Sequence, residues 1–279
     1  MARPGSQAIT FFPREHGATA MLLSPFVCAA VLARQFHWIE IFAFLTIALG
    51  FAAKDPLVTL FRQRLTWKQP RPETAVARRW LAVELPILLV SGALLLARGP
   101  LAAYALLGLG EGAFGALAVW VNVHTKQRAE WFQVMSAIAL TATSLLACLA
   151  ALREIPRWGW QLWTLCALQA TAGIFVVHAR LDARIAMRGH APAAEGGAIG
   201  NRRAAQLAIA VLVGSAIGAA ILGFDWEVPA ALLLASCGYT YELRRQKDPI
   251  SLQMPLTRVG IQALTLSIIY GLLLIAGLW

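Results

Sequence analysis

The stretch Phe11-Phe12-Pro13-Arg14-Glu15-His16-Gly17 stands directly before an apolar run over 17–34. It sets a base, an acid and an imidazole side by side where the chain turns apolar. Charged groups entering a membrane are costly unless they pair or line a polar cavity. The run behind them lacks a short apolar core with a cleavage site, so it reads as a retained helix rather than a signal peptide. The motif is therefore read as one wall of a polar site at the cytoplasmic end of a helix bundle.

The rest of the chain supports a bundle in lipid. Of 279 residues, 59% are hydrophobic and 14% charged, with a mean hydropathy of +0.64. A soluble domain carries about 25% charged residues, which excludes a large soluble core. The net charge of +10 is spread over several short connections. That pattern fits basic loops at a membrane surface and argues against a nucleic-acid partner. Cys28, Cys148, Cys166 and Cys237 each lie in apolar segments without CxxC or CxxH spacing. They imply neither a disulfide framework nor a zinc site.

A spanning helix needs ~20 mostly apolar residues. Nine stretches qualify: 17–34, 38–55, 79–97, 101–121, 131–151, 159–179, 203–223, 226–241 and 257–277. The eighth is the shortest, and its tail of Tyr239, Tyr241 and Glu242 looks interfacial. The expected fold is thus an all-α, polytopic membrane bundle of about nine helices, forming one domain over 1–279. All but four of the 24 Lys and Arg fall at the N-terminus or after even-numbered helices; the exceptions are Arg34, Arg98, Arg153 and Arg157. This bias puts the N-terminus and the basic loops in the cytoplasm, with an inner (plasma) membrane as the expected location. Most Trp residues fall near span ends, as an interfacial belt requires.

The expected cytoplasmic connections are the longer ones. Residues 56–78 carry five bases, with Arg79 next, and Pro56, Pro70 and Pro72 are expected to break any long helix. Residues 180–202 carry Arg180, Arg184, Arg188 and Arg202, and residues 242–256 carry Arg244, Arg245 and Lys247. The working end is expected on this face.

Several polar residues could carry chemistry there. Lys54-Asp55-Pro56 closes the second span; the pair either neutralises itself or aims a polar group into the bundle mouth. His178 and Asp182, four apart around Arg180, share a helix face. That spacing suits an oriented imidazole or part of a metal site, although metals take three or four ligands. Glu111 lies mid-span among Gly108, Gly110, Gly112 and Gly115, and intramembrane carboxylates are functional candidates by default. His124, Lys126, Arg128 and Glu130 fill the next connection and either face the site or water. Glu84 and Gln169 are expected to make interhelical hydrogen bonds.

At Pro13-Arg14-Glu15-His16-Gly17-Ala18, continuing to Met21-Leu22-Leu23 and Pro25, the chain resembles the YwiC-like family of bacterial membrane proteins. The family usually has Trp where this chain has Thr19. Ala129-Glu130-Trp131 and His178-Ala179-Arg180-Leu181-Asp182 carry weaker likeness. More distantly, the chain is similar to the UbiA superfamily of intramembrane prenyltransferases, which implies nine helices and a cytoplasm-facing cavity. The resemblance also implies two Asp-rich motifs holding magnesium and a prenyl diphosphate after the second and sixth helices. Here each place keeps one Asp, Asp55 or Asp182, fewer oxygen ligands than two magnesium ions need.

Three functions follow. In a prenyltransferase-like enzyme, Glu15, His16 and Glu111 would be the catalytic candidates. Arg14, Lys54, His124, Glu130, His178 and Arg180 would hold an anionic lipid, and Asp55 and Asp182 a metal. In a small-solute transporter, Glu111 would be central. In a non-catalytic lipid-binding or assembly factor, the cavity would hold membrane lipid without reaction. No P-loop, Rossmann or haem motif decides among them.

Overall fold

The computed structural model describes residues 16–69, 71–124, 129–187 and 193–279. Side chains of 16, 193–199 and 256 are outside that description. All regular structure among the described residues is helical. The chain forms two compact units, one from His37–Ala129 and one from His16–Phe36 with Glu130–Trp279.

The first unit contains α2 (Ile39–Ala52), α3 (Lys54–Arg62), α4 (Pro72–Arg98) and α5 (Leu101–Val123). Buried Glu40 accepts the His37 backbone N–H at 2.9 Å, which satisfies a donor before α2 begins. Pro56 was expected to break the helix, but the helical run passes from α2 through α3 and a π-helical turn to Trp67. Pro56 lies in the first turn of α3, where a missing N–H costs little. The bond from Leu57 N–H to the Ala53 carbonyl carries the run across the offset. Lys68, with φ 55°, ends it in the left-handed region, and Pro72 starts α4 with its preset φ.

The buried line on α4 is Thr74, Ala77, Leu81, Glu84, Ser91 and Leu95, at helical spacing. It packs against α2 and α3, and α3 also packs on α5. Arg62 donates to the Asn122 carbonyl at 2.6 Å, tying the end of α3 to the end of α5. At Gly99 a Cβ would sit 2.1 Å from the Tyr104 ring, so the turn into α5 needs glycine.

The second unit contains α1 (His16–Leu32), α6 (Glu130–Thr141), α7 (Thr143–Leu152), α8 (Arg157–Met187), α9 (Ala193–Ile221), α10 (Glu227–Arg245), α11 (Pro249–Leu252) and α12 (Leu256–Leu278). Its centre is α8, which packs against every other helix of the unit. Gln169 of α8 donates to the Tyr239 hydroxyl at 2.8 Å and the Ser267 hydroxyl at 3.1 Å. The expected interhelical bond of Gln169 is thus a junction of α8, α10 and α12. Thr143 donates to the Leu22 carbonyl at 2.8 Å, fastening α7 to α1. Thr141 bonds back to the Ala137 carbonyl at the offset between α6 and α7, a habit that bends helices.

Among the described residues, seven helical runs are long and apolar enough to cross a membrane. The remaining two expected spans correspond to α1, apolar but of 17 residues, and α10, of 19 residues with Glu227 at one end and Glu242, Arg244 and Arg245 at the other. More than half of the apolar window in α6–α7 and in α8 is buried, against under a quarter in α4 and α5.

A basic notch as candidate functional site

The sequence placed the second basic connection at 180–202, but α8 continues to Met187 and α9 begins at Ala193. Arg180, Asp182 and Arg184 therefore stand on an extra two turns of α8, directly after His178. Their directions follow from the 3.6-residue period. His178 Nε2 lies 2.7 Å from Gln133 Oε1 on α6. Asp182 accepts from Asn201 Nδ2 on α9. The two share a face by spacing, yet each serves a different neighbouring helix. Arg180 is 1% exposed. Its guanidinium pairs with the Glu242 carboxylate of α10 and donates to the Ser251 carbonyl of α11 at 2.5 Å. Its Nε is buried without a hydrogen-bond partner among the described residues. Arg184 donates to the Leu252 carbonyl at 2.5 Å and to that of Met254. The two arginines thus fasten the α11 segment onto α8.

These pairs hold the ends of α8, α9 and α10 together and leave a notch beside them. A cavity of ≈ 250 Å³ opens between α9 and α10, lined by Arg202, Gln206, Ile209, Thr240, Leu243, Arg244 and Lys247. Three of the seven are cationic and none is acidic. Of the two acids next to the lining in sequence, Glu242 is turned to Arg180 and Asp248 bonds to Ile250 and Ser251 of α11. Arg202 makes one long contact, to the Leu243 carbonyl at 3.5 Å. Gln206 and Thr240 add neutral hydrogen-bonding groups. Such a set suits a phosphate or carboxylate, because charge-assisted hydrogen bonds are the strong ones.

Outside the lining, Asp248 caps α11, with the Ser251 hydroxyl and the Ile250 and Ser251 N–H groups bonded to its carboxylate. The Ser251 hydroxyl bond, then the Ile250 N–H, hold its carboxyl below the usual range, and the Arg245 charge adds to them.

The other expected residues lie apart from this notch in sequence or in unit. Arg14, Glu15, Lys126 and Arg128 are outside the described residues; His16 heads α1, with its side chain likewise outside. In the first unit, Lys54 Nζ stands 3.8 Å from Asp55 Oδ1, consistent with a pair that neutralises itself. His124 caps α5, its Nδ1 2.8 Å from the Trp120 carbonyl and its ring 4.7 Å from the Trp120 ring. Glu130 opens α6, where an acid suits the helix N-terminus. Glu111 is exposed on α5. Glu84 is 5% exposed, and its Oε2 has no partner among the described residues, unlike the interhelical bond expected of it.

Magnesium would need several oxygen ligands. Among the described residues no three His, Cys, Asp or Glu side chains gather. Asp182 is taken by Asn201, Glu242 by Arg180, and Asp55 stands beside Lys54. The described donors do not fit that ion.

Residues 12–148 match the family model described as YwiC-like protein. Over that stretch, just under half of the chain, it is similar to that family. No curated protein and no solved structure matches it. The YwiC-like stretch takes in the opening motif, α1 to α6 and most of α7, whereas the basic notch lies beyond it. The signal for the notch was present in the sequence as Arg202, Arg244 and Lys247, but those bases were explained by loop topology. Nothing in the spacing announced that α9 and α10 would set them opposite each other.

Proposed function

We propose that this multi-pass, YwiC-like membrane protein binds an anionic headgroup at the basic end of its second unit. The observation that carries the reading is the α9–α10 notch, with Arg202, Arg244 and Lys247 in its lining, two neutral hydrogen-bonding side chains and no acid. Arg180 engages Glu242, Asn201 engages Asp182, and Asp248 caps α11, so these carboxylates have partners of their own. Positive-inside bias supports a cytoplasmic position for this end, in a bacterial inner membrane on this reading, where anionic lipids attract basic residues.

Native mass spectrometry of the full chain in detergent tests it. Dioleoyl phosphatidic acid should form a 1:1 adduct that dioleoyl phosphatidylcholine does not. A variant carrying Arg202→Gln, Arg244→Gln and Lys247→Gln should lose it while keeping its helical circular dichroism. Equal adducts with both lipids, or an adduct indifferent to the triple variant, would reject the reading.

A prenyltransferase-like enzyme is the catalytic alternative that the opening motif supports, with Glu15 and His16 as acid and base candidates. It adds one requirement, that the bound lipid be converted. Incubation with a prenyl diphosphate and release of diphosphate separates the two forms.

A further inference from the structure

The notch has a continuation that its basic mouth does not explain. On α9, Arg202, Gln206, Ile209 and Val213 recur at steps of four, three and four. On α10, Leu233, Cys237, Thr240 and Arg244 recur at steps of four, three and four, and Lys247 follows three residues on, just past the helix end. Each series lies along one helix face. A short turn joins α9 to α10, and the two helices pack together, so they run antiparallel. Arg202 and Gln206 line the cavity with Thr240 and Arg244, which sets the register. The same register places Ile209 opposite Cys237 and Val213 opposite Leu233.

Neither row belongs to the core. Gln206, Cys237 and Arg244 are exposed, Ile209, Val213 and Thr240 half-buried, and Leu233 is 45% exposed. The buried face of α10 is a different one, with Val228, Leu232, Tyr239 and Leu243. The furrow is therefore cationic at one end and apolar along the rest. From Arg244 to Leu233 it runs ~16 Å at ~1.5 Å per residue, about half of a ~30 Å hydrocarbon core. Exposed Tyr241 stands near the basic end, at the level where aromatic side chains meet headgroups.

Resting on the reading of the notch as a headgroup site, we propose that its ligand is a phosphate-bearing lipid of one leaflet. The phosphate lies among Arg202, Arg244 and Lys247, and a hydrocarbon chain runs along the furrow past Ile209 and Cys237 to Leu233. Charge at the mouth and apolar walls of one-leaflet length select this occupant over a soluble anion, which would leave the apolar walls unused.

Cys237 is a built-in reporter, because it is exposed while Cys28, Cys148 and Cys166 are buried. The full chain in detergent is alkylated with N-ethylmaleimide and the site located by peptide mass. Dioleoyl phosphatidic acid should slow alkylation of Cys237 several-fold. Inorganic phosphate should not, and Arg244→Gln should abolish the protection. If the lipid adduct depends on Arg244 but Cys237 reacts at an unchanged rate, the chain lies elsewhere; this inference falls while the headgroup site stands. If no adduct depends on the bases, both fall. Protection by inorganic phosphate alone would make the ligand a soluble anion, and a ligand-free Cys237 that resists alkylation would show the furrow closed. Either result overturns the proposal.

Discussion

Arg180 of α8 and Glu242 of α10 form a buried ion pair, with side chains 2% and 16% exposed. The pair also decides where the neighbouring charge goes: with Glu242 turned to Arg180, the lining of the basic notch is left without an acid. Breaking such a pair from one side leaves an uncompensated buried charge, at about 3–5 kcal/mol. Arg180→Met and Glu242→Leu should each lower the thermal unfolding midpoint in detergent. The double variant should lose less than the sum of the two. Additive losses would mean the residues act independently.

The notch should respond to charge and salt. Losing one charge-assisted hydrogen bond costs about 1.5–3 kcal/mol, so Arg244→Gln should weaken phosphatidic acid binding by about tenfold or more. Raising ionic strength shortens the Debye length from ~10 Å at 0.1 M to ~3 Å at 1 M. Wild-type affinity, measured by titration in detergent, should fall with salt, and the triple variant should show little salt dependence.

Gln169 holds α8 to α10 and α12 through Tyr239 and Ser267. Gln169→Leu should destabilise the second unit by about 0.6–1.7 kcal/mol, the range for interhelical polar contacts in membranes. Chemical unfolding in mixed micelles measures it. Gly173→Ala is the companion change, since its Cβ would meet the Tyr239 hydroxyl at 2.9 Å and disturb the same junction by crowding.

The cap on α11 makes a pH prediction. The Ser251 hydroxyl, the Ile250 N–H and the Arg245 charge depress the folded-state value of Asp248. A depressed acid stabilises the fold fully above its unfolded value, about 3.9, and that contribution is lost as pH falls through the lower folded value. Amide exchange at Ile250 and Ser251, corrected for intrinsic rate, should show steady protection from neutral pH to about 5 and a decline below about 3.9. Asp248→Ala should show reduced protection throughout.

The helical, membrane-crossing character of the chain was legible because nine apolar stretches and a one-sided Lys/Arg bias spoke together. Boundaries were less legible. Pro56 and the polar run after His178 looked like loop starts, yet the helices continue, because a first-turn proline is tolerated and the Arg180, Asp182 and Arg184 side chains find partners on α9, α10 and the α11 segment. Gln169 was read correctly as an interhelical donor, while Glu84 was given a partner that the described residues do not supply. The notch was hidden for a different reason. Arg202 and Arg244 are 42 positions apart in the sequence, and only the register of α9 on α10 makes them one site.

The Thr143 bond to the Leu22 carbonyl has a consequence for biosynthesis. The helices of its own unit that α1 packs against begin at Glu130 or later. About 100 residues must follow α1 out of the ribosome before the first of them exists, a wait of about 5–20 s at ~5–20 residues per second. During that interval a helix of 17 residues sits in the bilayer without its native neighbours. An insertase or chaperone that shelters α1 until α6 arrives would raise the yield of folded protein, and depleting it would leave a chain cleavable near α1.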